Sequence, residues 1–205
     1  MGHSDVKEEM VNLNTGNSAL KNTIEAWLKF GTVFLTYRFF VYYLDNNGTD
    51  KKFFDKQYVL MVFYLLLGFA IYYMLIDPVA PKPNIVPILN NVIEDTMLFG
   101  TVLVSSHVIE SYMGGSNKYF NGNWLKNSAL VLAAFAAYRI FIEPMVPRHK
   151  QSDLVNDWLQ FGVFLVTYRV LSVGSIDQKF IYSVLLSLLG FGIYDAGVKK
   201  LITVK

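Results

Sequence analysis

Arg38 and Arg169 each stand eleven residues after a tryptophan, in two stretches that match almost letter for letter. These run Trp27-Leu28-Lys29-Phe30-Gly31 through Thr36-Tyr37-Arg38, and Trp158-Leu159-Gln160-Phe161-Gly162 through Thr167-Tyr168-Arg169. A degenerate third copy, Thr96-Met97-Leu98-Phe99-Gly100 through Ser105-Ser106-His107, puts His107 at the equivalent place. On a helix each arginine lies about 16 Å further along the axis than its tryptophan. A cation at that depth in hydrocarbon must be offset by a partner or by water, so it is a functional hypothesis by default. Two guanidiniums and an imidazole could ring a pore or an anion pathway. The other reading is an anchor: each arginine is only about six residues from the end of its segment, and its long stem can snorkel to the nearer interface. Asp45, Asp50, Glu110 and Asp177 lie in or near the loops at that end and could meet it there.

Other chemistry is sparse. The chain has no cysteine, which excludes disulfides, thiolate metal sites and cysteine nucleophiles. His107 and Glu110 share a helix face at i and i+3, but one such pair falls short of a metal site. No nucleophile, acid/base pair or phosphate loop rises above chance, so no enzymatic activity, catalytic residue, metal or cofactor is expected. Net charge is +2, and the sole basic cluster is Arg148-His149-Lys150. Nucleic-acid binding therefore has no electrostatic footprint.

The elements that position these residues come in three pairs. Each Phe-Gly segment is followed by a second apolar segment centred on Gly68-Phe69, Ala134-Phe135 or Gly190-Phe191, with Tyr72, Tyr138 or Tyr194 three residues later. A unit repeated three times must be interpreted once and stacked. Trp27, Gly31 and Arg38 fall within about 40° on a helix wheel, as do Trp158, Gly162 and Arg169. Trp27 and Trp158 suit the headgroup level as interface anchors. Gly31, Gly100 and Gly162, with Gly68, Ala134 and Gly190 in the second segments, read as small-residue notches for helix packing.

Composition places these pairs in a membrane. The 205 residues are 53% hydrophobic and only 17% charged, against about 25% charge in ordinary soluble domains. Tyr58 to Ile76 carries no charge over about 28 Å of helix, close to the thickness of a bilayer core. Segments at 26–44, 92–113 and 155–173 are more polar, and 92–113 becomes credible only by alignment to the others. A soluble stack of helical hairpins is the competing architecture, but its helices would be striped rather than apolar all round.

The expected fold is therefore all-α, an integral membrane bundle of three two-helix hairpins with about six transmembrane helices. A polar N-terminal tail is assigned to 1–23, hairpins to 24–81, 82–147 and 148–198, and a basic tail to 199–205. The first residues lack the basic start and short apolar run of a signal peptide. Asp77-Pro78 and Glu143-Pro144 should stop their helices, each with another proline three residues on (Pro81, Pro147). Asn46-Asn47-Gly48, Gly114-Gly115-Ser116 and Val173-Gly174-Ser175 are turn formers inside the hairpins. Arg139 can pair with Glu143 one turn on. The hairpins all enter from one side, so the repeats are parallel and fit a pseudo-threefold arrangement. The lysine and arginine distribution favours the N-terminus inside.

The combination of Phe161-Gly162, Thr167-Tyr168-Arg169, Asp177 and Leu188-Leu189-Gly190-Phe191 with Tyr194 resembles small multi-pass membrane proteins of large icosahedral DNA viruses. Unit one repeats it as Phe30-Gly31, Thr36-Tyr37-Arg38 and Leu66-Leu67-Gly68-Phe69 with Tyr72, whereas unit two departs with Ser106-His107. The resemblance implies a structural (minor capsid) protein of the virion's internal membrane, partnered by lipid, by capsid or other membrane proteins, and by copies of itself. The alternative is a small channel or transporter with a polar path lined by Arg38, His107 and Arg169.

Overall fold

The computed structural model describes residues 3–45, 55–80, 86–114, 120–145 and 153–203, and its regular structure there is entirely helical. Three hairpins pair a first helix with a second: α1 (His3–Asp45) with α2 (Lys56–Ile71), α3 (Pro87–Met113) with α4 (Gly122–Ala137), and α5 (Asp153–Val173) with α6 (Gln178–Ile193). A last helical stretch, α7, spans Lys199–Thr203.

The second helices are built alike because their signals repeat. Asp55, Asn121 and Asp177 are the N-caps, and their side chains accept from the backbone N–H of Gln57, Trp124 and Phe180 at 3.3, 2.8 and 2.7 Å. Such caps satisfy amides that have no partner within the helix. Each second helix then runs for 16 residues and passes into a five-residue π-helical segment, Tyr72–Ile76, Tyr138–Ile142 or Tyr194–Val198. The π segments begin at the three repeated tyrosines, all of which are buried. The first ends where Asp77-Pro78 begins, as the missing proline amide requires. The second passes into a 3-10 turn, Glu143–Met145, so helical structure runs on to Met145, past the stop expected at Glu143-Pro144.

Six helices close into a ring, each packed on its two chain neighbours, with α6 returning to α1. Two seams between hairpins rest on a glycine of the second helix. A Cβ on Gly68 would stand 2.8 Å from Val102 Cα, and one on Gly190 would stand 2.7 Å from Val33 Cα. Both are too close for any side chain, so α2 meets α3 and α6 meets α1 backbone to backbone. At the third seam Ala134 is fully buried, and Phe164 takes the place of Val33 and Val102. Phe164 stacks on Phe135 with ring centroids 4.2 Å apart. Larger side chains there replace the glycine notch.

Gly31 and Gly100 do not serve as packing notches. A Cβ at either would meet nothing within 4 Å, and one on Gly162 would make only ordinary contact with Leu188 at 3.9 Å. Close helix approach therefore belongs to the second helices. Residues 3–23 of the segment assigned as a polar tail are part of α1, one continuous helix from His3, with Ala19 and Thr23 buried. The basic tail at 199–205 likewise begins as helix α7.

Four helical spans are long and apolar enough to cross a membrane: Lys56–Ile76, Pro87–Met113, Gly122–Met145 and Gln178–Leu201. The polar segment at 92–113 is thus among them. α1 and α5 are not, and each carries charge within its apolar stretch, Lys29 with Arg38 and Asp157 with Arg169. Gly174 turns the third hairpin with φ of +75°, a conformation glycine adopts without steric cost. Asn46-Asn47-Gly48, Asp50, Pro81, Gly115-Ser116, Pro147 and Arg148-His149-Lys150 lie outside the described residues.

Candidate functional site

Phenylalanine forms the middle of the ring. Phe30, Phe99 and Phe161 occupy one repeated position on the first helices, and each stacks on the phenylalanine of its own second helix. The centroid separations are 4.5 Å for Phe30–Phe69, 3.9 Å for Phe99–Phe135 and 4.6 Å for Phe161–Phe191. The three stacks then meet edge to face, Phe161 lying 5.5 Å from Phe30 and 6.2 Å from Phe99. Offset and edge contacts of this kind hold aromatic rings in fixed orientations.

On the side of the layer nearer the starts of the first helices lies a polar vestibule of about 510 Å³. Its floor is Phe30, Phe99 and Phe161. Its walls carry four carboxylates, Glu25, Asp95, Asp157 and Asp195, against three cations, Lys29, Arg139 and Lys199. The π segments contribute directly: Tyr73, Arg139 and Asp195, each one residue after a repeated tyrosine, all reach this space.

The charges are joined across the ring. Lys29 Nζ on α1 lies 2.6 Å from Asp157 Oδ1 on α5 and 5.7 Å from the centroid of the Phe191 ring. Arg139 grips Asp95 with two bonds, from Nε at 2.7 Å and from Nη2 at 3.0 Å. Its Nη1 also meets Glu143 at 3.1 Å, the one-turn pair expected from sequence. Gln160 on α5 donates to the same Asp95 at 3.3 Å, and Asn91 reaches Glu143 at 3.4 Å. Lys199 closes on Asp195 at 3.5 Å. Most of these groups are half-buried or deeper, where bidentate and charge-assisted bonds weigh more than at an open surface.

Across the phenylalanine layer is a second cavity of about 330 Å³, walled by Val33, Phe34, Leu65, Val102, Leu103, Val131 and Phe164 among others. Phe30, Phe99 and Phe161 line both cavities and so divide one from the other.

Arg38, His107 and Arg169 line neither space. Each instead lies against the aromatic residue three places after the N-cap of its own hairpin. Arg38 Cζ is 5.1 Å from the Tyr58 centroid, Arg169 Cζ is 5.5 Å from Phe180, and the His107 ring stacks on Trp124 at 4.6 Å. Arg169 also meets the N-cap carboxylate of Asp177 at 2.7 Å and donates to the Ser175 carbonyl at 3.1 Å. The position shared by the three repeats is thus a hairpin clamp, stacking a cation or an imidazole on a ring. His107 Nε2 is buried without a hydrogen-bond partner among the described residues.

The tryptophans bond across their own hairpins. Trp27 Nε1 donates to the Leu66 carbonyl at 2.6 Å, and Trp158 Nε1 donates to the equivalent Leu188 carbonyl at 2.9 Å. Both rings stay partly exposed, so each couples the outer surface to its own second helix.

The sequence shows Phe30, Phe99 and Phe161 as identical in all three copies but not that they meet in one layer. Nor does it show the vestibule, whose charges occupy positions where the copies differ: Lys29, Leu98 and Gln160 at one, and Ala26, Asp95 and Asp157 at another. Comparisons of the chain with protein-family models, curated proteins and solved structures return no match.

Proposed function

We propose that this chain is a multi-pass membrane protein with a structural role, a closed ring of hairpins that organises lipid and anchors neighbouring proteins. The observation that carries the reading is the phenylalanine layer, which fills the axis where a conducting path would run. Every helix of the ring exposes large apolar side chains, among them Leu35, Phe63, Val104, Leu125, Leu171 and Leu185, as a lipid-facing surface demands. α1 and α5 are held between spanning neighbours and cross with them, Lys29 and Asp157 paired inside the ring. Arg38, His107 and Arg169 are engaged within their own hairpins, which favours an anchor over a pathway lined by these residues. On the strength of the viral resemblance, the membrane is the internal membrane of an icosahedral virion and the anchored partner is its shell.

Flux measurement tests the role. Liposomes holding the purified protein should retain small ions and a fluorescent anion as well as empty liposomes do, and Arg38→Gln with Arg169→Gln should change nothing. A protein-dependent leak altered by those substitutions would establish the channel instead. Resistance to alkaline carbonate extraction tests the membrane assignment. Co-purification with virus particles after the shell is stripped tests the location, and absence from such particles removes the viral reading while leaving the membrane one intact.

A further inference from the structure

We propose that the charged vestibule binds an organic ammonium ion, a primary or quaternary amine with a short apolar body. This goes beyond the structural role and does not depend on it. The space, about 510 Å³, falls within the range of small-molecule sites. Its charge selects the sign of the occupant. The cations of the wall are already engaged: Lys29 with Asp157, Arg139 with Asp95 and Glu143, and Lys199 with Asp195. Glu25, by contrast, forms no hydrogen bond or ion pair with any described residue. An entering anion would meet spent cations and a bare carboxylate. An entering cation would meet Glu25.

The rest of the wall selects an organic cation. Phe30, Phe99 and Phe161 offer an aromatic floor and Tyr73 an aromatic wall, and aromatic faces attract ammonium groups, more strongly where water is excluded. The chain supplies its own precedent, because the Lys29 ammonium already rests 5.7 Å from the centroid of Phe191 in the same layer. A hard metal ion would need several converging oxygen ligands, and among the described residues no group of three acidic or histidine side chains is placed to hold one. The same chemistry is offered by a free amine and by the choline or ethanolamine headgroup of a lipid.

The full-length protein in phosphatidylglycerol nanodiscs is titrated calorimetrically with choline chloride and with n-butylammonium chloride, sodium butyrate serving as the anionic counterpart. The expected result is saturable binding of an ammonium probe and none of butyrate. Glu25→Gln, which disturbs no partner, should weaken binding by about tenfold or more. Glu94→Gln, an exposed acid that does not line the vestibule, should leave it unchanged. Nanodiscs of phosphatidylcholine separate the sources: choline heat that disappears there identifies a lipid headgroup as the occupant, and heat that persists identifies a free amine. No saturable binding of either ammonium in phosphatidylglycerol, or equal affinity in Glu25→Gln, overturns the proposal.

Discussion

Replacing Gly190 with alanine puts the glycine seam under direct test. The new Cβ would lie 2.7 Å from Val33 Cα, a backbone atom that no rotamer change can move, and 3.3 Å from Val33 Cβ. Ordinary contact begins at 3.4 Å, so α6 and α1 must part by about 0.7 Å at this point. A gap of that size forfeits about a quarter to a half of the dispersion attraction between atoms along the seam. Overpacking of this kind costs about 1–3 kcal/mol. Exchange of glycine for alanine inside a helix returns about 1 kcal/mol of propensity, leaving a net loss of up to about 2 kcal/mol. Gly31→Ala is the control, since its Cβ would meet nothing within 4 Å. It keeps only the propensity gain, about 0.5–1 kcal/mol of stabilisation. Thermal unfolding of the detergent-purified variants, followed by circular dichroism, should move in opposite directions for the two. A Gly190→Ala protein stabilised as much as Gly31→Ala, or equal destabilisation of both variants, would refute the seam geometry.

Other substitutions probe the remaining contacts. Trp158→Phe removes the indole donor to Leu188 while keeping a ring, and should cost about 1 kcal/mol in the same unfolding assay. Arg139→Met leaves Asp95 and Glu143 without their cation and should cost up to about 3 kcal/mol, with Asp95→Asn in the same chain recovering part of the loss. Arg169→Gln should cost less than about 1 kcal/mol, with a salt-sensitive effect, because Asp177 is 55% exposed at its side chain. Asp177→Ala should cost about 1 kcal/mol more than Arg169→Gln, since it also removes the cap on the Phe180 amide.

The hairpins were legible in the sequence because span length, helix stops and turn formers are local properties. Tyr58–Ile76 announces itself by lacking charge, and Asp77-Pro78 marks where its helix ends. The Arg139–Glu143 pair follows from helix periodicity alone. Contacts between hairpins were not legible, because a wheel places Lys29 on a face without saying that Asp157, 128 residues away, will stand opposite it. The glycines were misjudged for the same reason. Gly31 and Gly68 are equivalent as small residues in apolar helices, and only the arrangement of neighbours makes one a notch and the other open space. Arg38 and Arg169 drew attention as isolated charges, whereas their aromatic partners Tyr58 and Phe180 lie across a hairpin turn and looked like ordinary apolar residues.

Several departures from threefold repetition bear on one helix, α5. The seams of α2 with α3 and of α6 with α1 are closed by glycine against valine, an arrangement that needs no polar help. α5 has no such seam. Its neighbour α4 offers Ala134 instead of glycine, and Phe164 bars a closer approach by stacking on Phe135. α5 is also one of the two ring helices whose composition is too polar to qualify as a membrane span. The polar contacts across the ring converge on it: Asp157 to Lys29 of α1, Gln160 to Asp95 of α3, and Trp158 to the Leu188 carbonyl of α6. The helix least able to hold its place by close apolar packing is thus tied to three others by polar bonds. The charged vestibule is consequently more than a place where symmetry lapsed. It ties α5 to α1 and α3, and with Lys29, Arg139 and Lys199 all paired in its walls, Glu25 is left as a wall carboxylate without an ion pair to any described residue.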